Sequence, residues 1–144
     1  MTQYSASEHF LVVDASVWVS RLVPQDEFHD KVTAFLENQR NDGAQFISPT
    51  LLLAEVGGAV SRRTKDPDLA KKAVDQLQNL PGLRLVQMED DLIQQAAQLA
   101  AELSLRGANS VYVAVAHQLH LPLVTLDIEQ RERSLPKVAV QTIP

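Results

Sequence analysis

The sequence predicts an α/β fold, a three-layer sandwich whose central, mostly parallel sheet is flanked by helices. Short apolar runs rich in Val and Leu alternate along the chain with longer segments whose apolar residues recur at helical spacing. Strands separated by helices pair in parallel, and their nearly continuous apolar character fits a sheet covered on both faces. The chain has 144 residues, which is one domain by the usual prior of roughly 100–200 residues. We therefore expect a single domain over residues 1–144, with residues 1–9 as a flexible N-terminal extension.

The first half of the chain contains two predicted strands and four predicted helices. The first strand breaks at Asp14, and Pro24 stops the helix that follows it. Ser48 is the expected N-cap of the third helix, with Pro49 at the first helical position. In order, these elements are strand 10–16, helix 17–23, helix 28–40, strand 45–48, helix 48–63 and helix 66–80.

The second half of the chain continues the alternation. Its first strand follows a Pro-Gly pair that ends the preceding helix. Its last strand alternates apolar and polar residues, which is typical of a half-exposed strand. In order, these elements are strand 83–88, helix 89–105, helix 110–120, strand 122–127, helix 128–134 and strand 137–143.

The composition excludes several classes of protein. The chain has no Cys, which rules out disulfides, thiolate nucleophiles and cysteine metal sites and suits a reducing cytoplasm. No apolar run approaches the ~20 residues that a membrane-spanning helix needs, so no membrane partner is expected. The net charge of −5 argues against unselective binding to nucleic acid. A nucleic-acid enzyme whose acids bind a metal stays compatible with this charge.

Two acidic residues end predicted strands that are far apart in the sequence. Asp14 ends the first strand, and Asp127 ends the strand "PLVTLD". Ligands of open α/β sheets bind beyond the carboxyl ends of the strands, so both side chains are expected at one edge. The alternative is that each Asp only caps the helix after it. For one such Asp we would favour the cap, and the convergence of two favours a site.

Glu55 is a third acidic residue in an unusual setting. It lies within "LLLAEVGGAV", where residues one helical turn away on either side are apolar or small. A carboxylate on an apolar stripe is costly unless it is paired or binds a metal. Two interpretations of Glu55 are open: it pairs with Arg62 or Arg63, or it is a metal ligand. Gly57 and Gly58 lower helix propensity, and they permit either close helix packing or the approach of a substrate backbone.

Together, Asp14, Glu55 and Asp127 are an oxygen-donor set of the kind that Mg²⁺ prefers. A bound cation lets clustered carboxylates stay ionised despite their mutual repulsion. Such sites lower the pKa of an attacking water and neutralise phosphate charge, so phosphodiester hydrolysis is the reaction they suit.

Four short segments of the sequence, called stations below, resemble the PIN-domain family, and in particular the VapC-like ribonuclease toxins of prokaryotic toxin–antitoxin pairs. They are "LVVDASVWV", "SPTLLLAEV", "RGANSVYVA" and "LVTLD", in the family's order and over nearly the whole chain. The resemblance implies a PIN-like fold and catalytic residues Asp14, Glu55, Asn109 and Asp127. Of these, Asp14, Asn109 and Asp127 would bind Mg²⁺ or Mn²⁺. Ser16 and Thr125 match hydroxyl residues that support the site in the family.

The third station departs from the family pattern. Family members commonly have Gly-Ala-Asp where this chain has Gly107, Ala108 and Asn109. Asn109 is also a good N-cap for the predicted helix 110–120. Its amide oxygen can ligate a cation but adds no negative charge, so we expect weaker metal binding than in a four-acid site.

The resemblance implies a metal-dependent endoribonuclease that leaves a 5′-phosphate, the toxin of a pair, with an antitoxin protein as partner and a homodimer as assembly. Arg106, Arg62 and Arg63 are the expected RNA-phosphate contacts, although a solvated basic face is the alternative for the latter two. Trp18 belongs either to a partner surface or to the core. Because of Asn109, a catalytically weak or inactive PIN-fold module that binds RNA or protein is the second interpretation. A structural α/β domain whose acids are all caps is the third.

Overall fold

The computed structural model describes residues 9–144. Residues 1–8 of the predicted N-terminal extension lie outside the described residues, and His9 is the first residue of a strand. The described elements are β1 (His9–Val13), α1 (Ala15–Leu22), α2 (His29–Asn41), β2 (Ala44–Pro49), α3 (Leu51–Thr64), α4 (Pro67–Gln78), β3 (Leu83–Val86), α5 (Asp90–Leu103), α6 (Gly107–Leu119), β4 (Leu123–Val124), α7 (Ile128–Ser134) and β5 (Val140–Gln141).

The five described strands form one sheet in the order β3-β2-β1-β4-β5, and every pairing is parallel. Helix α1 contacts α2 and α3, α3 contacts α4, and α5 contacts α6. The right-handed rule for parallel crossovers assigns α1–α4 to one face of this sheet and α5–α7 to the other. The predicted α/β sandwich with a parallel sheet and flanking helices is confirmed. The last two strands are much shorter than predicted, with two residues each.

The sheet has one point where the chain reverses its direction of travel. From β1 the chain moves outward through β2 to β3, and from β4 it moves the opposite way to β5. Strands β1 and β4 meet at this point, where the backbone N–H of Asp14 donates to the carbonyl of Val124 at 3.0 Å. Parallel α/β sheets bind ligands at such a switch point, beyond the carboxyl ends of the strands.

The core is aliphatic and lies on both faces of the central strands. Val12, Val13, Leu123 and Val124 are fully buried, as their apolar runs predict. Trp18 is also fully buried; it packs edge-on against Phe46 and donates from Nε1 to the Ser48 hydroxyl at 3.2 Å. Trp18 is therefore a core residue and not part of a partner surface. No helix within residues 9–144 is long and apolar enough to cross a membrane.

Two predicted helix caps are wrong. Ser48 is buried inside β2, where it donates to the carbonyl of Val13 at 2.6 Å, and α3 begins after Thr50. The Ser48 hydroxyl stabilises the core, because it donates to the Val13 carbonyl and accepts from the Trp18 N–H. Asn109 does not cap α6, since this helix already begins at Gly107 and Asn109 lies in its first turn.

The glycine pair in α3 has two different local roles. A Cβ on Gly57 would approach Cγ2 of Val74 in α4 to 3.3 Å, so this glycine permits the close packing of α3 on α4. A Cβ on Gly58 would lie 3.1 Å from the Nη1 atom of Arg62. Close helix packing is confirmed for Gly57, whereas Gly58 makes room for a side chain of its own helix.

Candidate active site

Asp14 is the buried centre of the candidate site. It is 4% exposed and caps α1, and its Oδ2 atom accepts from the Ser16 N–H at 3.2 Å and the Ser16 hydroxyl at 2.7 Å. The Thr125 hydroxyl donates to the same oxygen at 3.0 Å. Burial nevertheless raises the pKa of Asp14, because these hydrogen bonds only partly offset the lost solvation. The cap interpretation holds for Asp14, but it does not explain so desolvated a carboxylate.

Thr125 connects the end of β4 with the start of α7. Its hydroxyl accepts from the Asp127 N–H at 3.0 Å and lies 3.2 Å from Oε1 of Gln130, a side chain that is almost fully buried. The Gln130 amide in turn donates to the carbonyl of Asn109 at 3.3 Å. The Ser16 hydroxyl lies 3.4 Å from Thr125 and accepts from the backbone N–H of Leu126 at 3.0 Å. The two predicted supporting hydroxyls thus tie β1, β4 and α7 together.

Asp127 and Asn109 face each other across this network. The Asn109 amide donates to Oδ2 of Asp127 at 3.4 Å, which is at the long end for a hydrogen bond. The other oxygen of Asp127 accepts from the Gln130 N–H at 3.0 Å, which caps α7. Asn109 therefore contributes a neutral donor where a carboxylate would leave two acidic side chains in contact.

Glu55 approaches the site from α3, near enough to Asp14 to feel its charge. Its Oε1 atom accepts from the Tyr112 hydroxyl of α6 at 2.6 Å. Burial first, and then the negative charge of Asp14, raise the pKa of Glu55, while the Tyr112 hydrogen bond lowers it. The partner of Glu55 is thus a tyrosine, and neither Arg62 nor Arg63 pairs with it within the described chain.

The side chains present suit a hard divalent cation in their chemistry, since the donors are carboxylate, amide and hydroxyl oxygens. Burial raises the pKa of Asp14, and no salt bridge of the described residues involves it, so an added positive charge would relieve this carboxylate. Within residues 9–144, no three acidic or histidine side chains are grouped closely enough to hold a metal together. Mg²⁺ takes only one or two carboxylates directly and keeps several waters, so the arrangement fits that ion with few protein ligands.

The three predicted arginine contacts differ in their surroundings. Arg63 forms an ion pair with Asp26 at 2.5 Å. Burial opposes ionisation of Asp26, but its hydrogen bonds with Arg63, the Phe28 N–H and Ser20 hold its pKa below the usual range. Arg62 lines a cavity with Glu55 and Ser16. Arg106 is exposed and immediately precedes α6.

Three polar residues at this site were missed by the sequence analysis. Tyr112 and Gln130 lie in segments that read as ordinary helix, and Asp26 lies in a loop. The position of Tyr112 three residues after Asn109 is the one signal that could have identified it, because such spacing places both on one helical face. The sequence offers no comparable signal for Gln130 or Asp26, since their partners come from distant segments.

The family model of the PIN domain matches residues 11–134 of the chain. The chain belongs to the PIN domain family. The matched range runs from β1 to the end of α7, so it includes every candidate residue of this PIN domain. Among curated proteins, no sequence matched the chain.

Solved structures with the same fold include several VapC and toxin–antitoxin proteins. VapC20 of Mycobacterium tuberculosis, described as a sarcin-ricin loop cleaving toxin, superposes with a TM-score of 0.72 at 17% identity, over 83% of this chain and 92% of that one. VapBC2 from Rickettsia felis, bound to a promoter DNA fragment, gives 0.72 at 16% identity, over 94% and 100%. A toxin–antitoxin complex from Klebsiella pneumoniae gives 0.65 at 15% identity, over 90% and 96%. At these identities the likeness establishes the fold of the PIN domain alone.

Replacement of Tyr112 with Phe is expected to raise the pKa of Glu55 further, because it removes a hydrogen bond to the ionised carboxylate. The stability loss should be about 1–2 kcal/mol. The stability loss should have its full size above the folded-state pKa of Glu55, where the carboxylate is ionised. It should shrink as the pH falls through that pKa. NMR titration of the Glu55 carboxyl and thermal melts across this pH range measure both effects. The double variant Tyr112→Phe/Glu55→Gln is the control, and an unchanged Glu55 titration in Tyr112→Phe would contradict the assignment.

Proposed function

We propose that this PIN domain is a metal-dependent endoribonuclease that hydrolyses phosphodiester bonds in RNA with Mg²⁺ or Mn²⁺. The supporting observation is the Asp14 carboxylate, which is buried at the switch point of the sheet within a network that includes Asp127 and Asn109. A desolvated acid in such a position is typical of a functional site. Membership of the PIN family supports the same reaction.

A bound divalent cation would make an attacking water more acidic and neutralise charge that develops on the phosphate. Asp14, Asn109 and Asp127 are the residues proposed to hold it. Ser16 and Thr125 fix the Asp14 carboxylate by donating to one of its oxygens, so it is oriented before substrate arrives. We propose that Glu55 accepts a proton from the water, since burial raises its pKa and so makes this carboxylate a stronger base than an exposed one.

The partner proteins belong to the same proposal. We propose an antitoxin as protein partner, RNA as substrate, a homodimer as assembly and the cytoplasm as location. The support is the fold shared with toxin–antitoxin complexes and the frequency of two-fold symmetric dimers among oligomers. Sedimentation at micromolar concentration tests the dimer, and a mass of one chain would contradict it.

A second candidate is a PIN-fold module that binds RNA or protein without appreciable cleavage. The specific observation in its favour is Asn109, which gives Asp127 a neutral donor in place of a further acid. It predicts RNA or partner binding that does not depend on a divalent cation.

The experiment that separates the two functions is cleavage of end-labelled RNA by the purified chain, with Mg²⁺, with Mn²⁺ and with a chelator. The nuclease proposal expects products with a 5′-phosphate only when a divalent cation is present. Identical product patterns with and without the chelator would indicate a contaminating ribonuclease. Intact RNA under all conditions, with retained RNA binding, would favour the second candidate.

A further inference from the structure

A cavity of about 560 Å³ opens beside the candidate site. Ser16 and Glu55 line it and also belong to the site, so the two spaces are continuous. The remaining walls combine small or aliphatic side chains with Ser20, one aromatic ring, the ion pair of Arg63 with Asp26, and a second arginine that forms no ion pair within the described residues. They include Val19, Ala59, Leu126, Phe28 and Arg62.

Arg62, the arginine without an ion pair, lies on the α3 wall of the cavity. Glu55, Ala59 and Arg62 follow helical spacing and all line the cavity, so they share one face of the helix. The Nη1 atom of Arg62 lies 3.1 Å from the place that a Cβ on Gly58 would take. The guanidinium therefore folds back over Gly58. Arg62 forms no ion pair with any other residue in 9–144, so its charge is available to a ligand.

The aromatic ring is held by a brace that does not involve Arg62. Asp26 accepts from the Phe28 N–H at 2.9 Å and from Arg63 of α3 at 2.5 Å, which fixes the segment before α2 against α3. Phe28 is 37% exposed, and the Lys31 ammonium lies 5.8 Å from its ring centroid. The ring is thus positioned by its backbone while part of its surface stays open.

We propose that this cavity binds one unpaired nucleotide of the RNA next to the scissile bond, with its base on Phe28 and its phosphate on Arg62. Unpaired bases stack on aromatic side chains, and arginine binds phosphate through its forked donors. Continuity with the candidate site and the uncompensated Arg62 charge favour RNA over a peptide as occupant. The inference rests on the proposed function, and it adds the residues that would hold one nucleotide of the substrate.

The test of Arg62 is equilibrium binding of a fluorescent single-stranded RNA, measured by anisotropy in chelator at several salt concentrations. Arg62→Gln should weaken binding and reduce the slope of log K against log salt by about 0.7, the value for one phosphate on a single strand. Arg40→Gln is the matched control, because Arg40 is also exposed and lies on α2 outside this cavity. Equal affinity and slope in the two variants would overturn the proposal.

The test of Phe28 uses the same assay with a different signature. Phe28→Ala should weaken binding about tenfold with the salt slope unchanged, since no charge is removed. Phe28→Leu, which keeps an apolar side chain, should lose nearly as much affinity and guards against a folding defect in the alanine variant. Parental affinity in Phe28→Leu would overturn the stacking role.

The two proposals fail in distinguishable ways. Chelator prevents the metal-dependent reaction, so binding reports on the cavity whether or not the parent cleaves RNA. A parent that binds RNA through Arg62 and Phe28 but never cleaves it would contradict the nuclease function and support the nucleotide site. If the parent cleaves RNA but neither substitution changes RNA affinity, the nuclease function is supported and the nucleotide site is contradicted. A protein ligand would then be the remaining occupant of the cavity.

Discussion

Asp14→Asn is expected to abolish RNA cleavage while leaving the metal-free protein at least as stable as the parent. Residues that only orient metal ligands cost about 10–100-fold in activity when they are replaced, so removal of a proposed ligand should cost at least about 100-fold. The side-chain amide oxygen of Asn can take the place of Oδ2 and accept from Ser16 and Thr125. The fold therefore keeps its principal contacts at this position.

The expected stability of the Asp14→Asn variant follows from the direction in which the pKa of Asp14 is shifted. Burial raises the pKa in the folded state, so the folded protein holds the proton more tightly than the unfolded chain. Ionised Asp14 thus destabilises the fold at neutral pH, and stability rises as the pH falls through the folded-state pKa. A neutral Asn removes this cost, together with the part of the pH dependence that Asp14 contributes.

Thermal melts in chelator, across neutral and acidic pH, combined with cleavage assays, measure both effects. Ser134→Ala is a useful control, since it removes a buried polar side chain of α7 that lies outside both the hydrogen bonds of Asp14 and the cavity lined by Arg62 and Phe28. A loss of activity that accompanied a lower melting temperature at neutral pH would mean that Asp14 is structural. Retained cleavage would exclude it from catalysis.

Asn109→Asp is expected to tighten Mg²⁺ or Mn²⁺ binding and to raise RNA cleavage, and to lower the stability of the metal-free protein. The amide that donates to Asp127 at 3.4 Å would become a second carboxylate at about the same place. One added charge near a divalent cation contributes a few kcal/mol at an effective dielectric of ~20. Repulsion from Asp127 offsets part of it, so affinity should rise by about 10–100-fold.

The two opposed effects make this variant diagnostic. Calorimetric metal titration measures the affinity, and thermal melts with and without metal measure the stability that binding adds. Asn38→Asp makes the same charge change on the exposed surface of α2 and should alter neither result. If Asn109→Asp bound metal no better than Asn38→Asp, position 109 would not belong to a metal-binding site.

The parallel sheet could be predicted from the sequence because buried strands give apolar runs and helices give their own period. Asp14 and Asp127 could be placed at one edge because that edge is a property of any parallel sheet. The partners of polar residues could not be predicted where they come from a distant segment. Ser48 was predicted as a cap although its hydroxyl bonds with Trp18 and the Val13 carbonyl. For Glu55, arginine pairing and metal binding were both left open, and its partner Tyr112 of α6 was not foreseen. Local patterns contain no information on such pairs.

The shortness of the last two strands has a consequence for the motions of the molecule. The segment that contains Thr125 and Asp127 joins the sheet through two-residue strands, whereas β1 and β2 pair over four positions. Elements with few backbone hydrogen bonds open at lower free energy than the core, as local unfolding units. Leu123 and Val124 of β4 are fully buried between β1 and β5, so such opening is expected at β5, whose two residues are only partly buried at the sheet edge. Amide protons of β5 should then exchange with solvent before those of β1 and β4, and this edge of the sheet would open well below the temperature at which the domain unfolds.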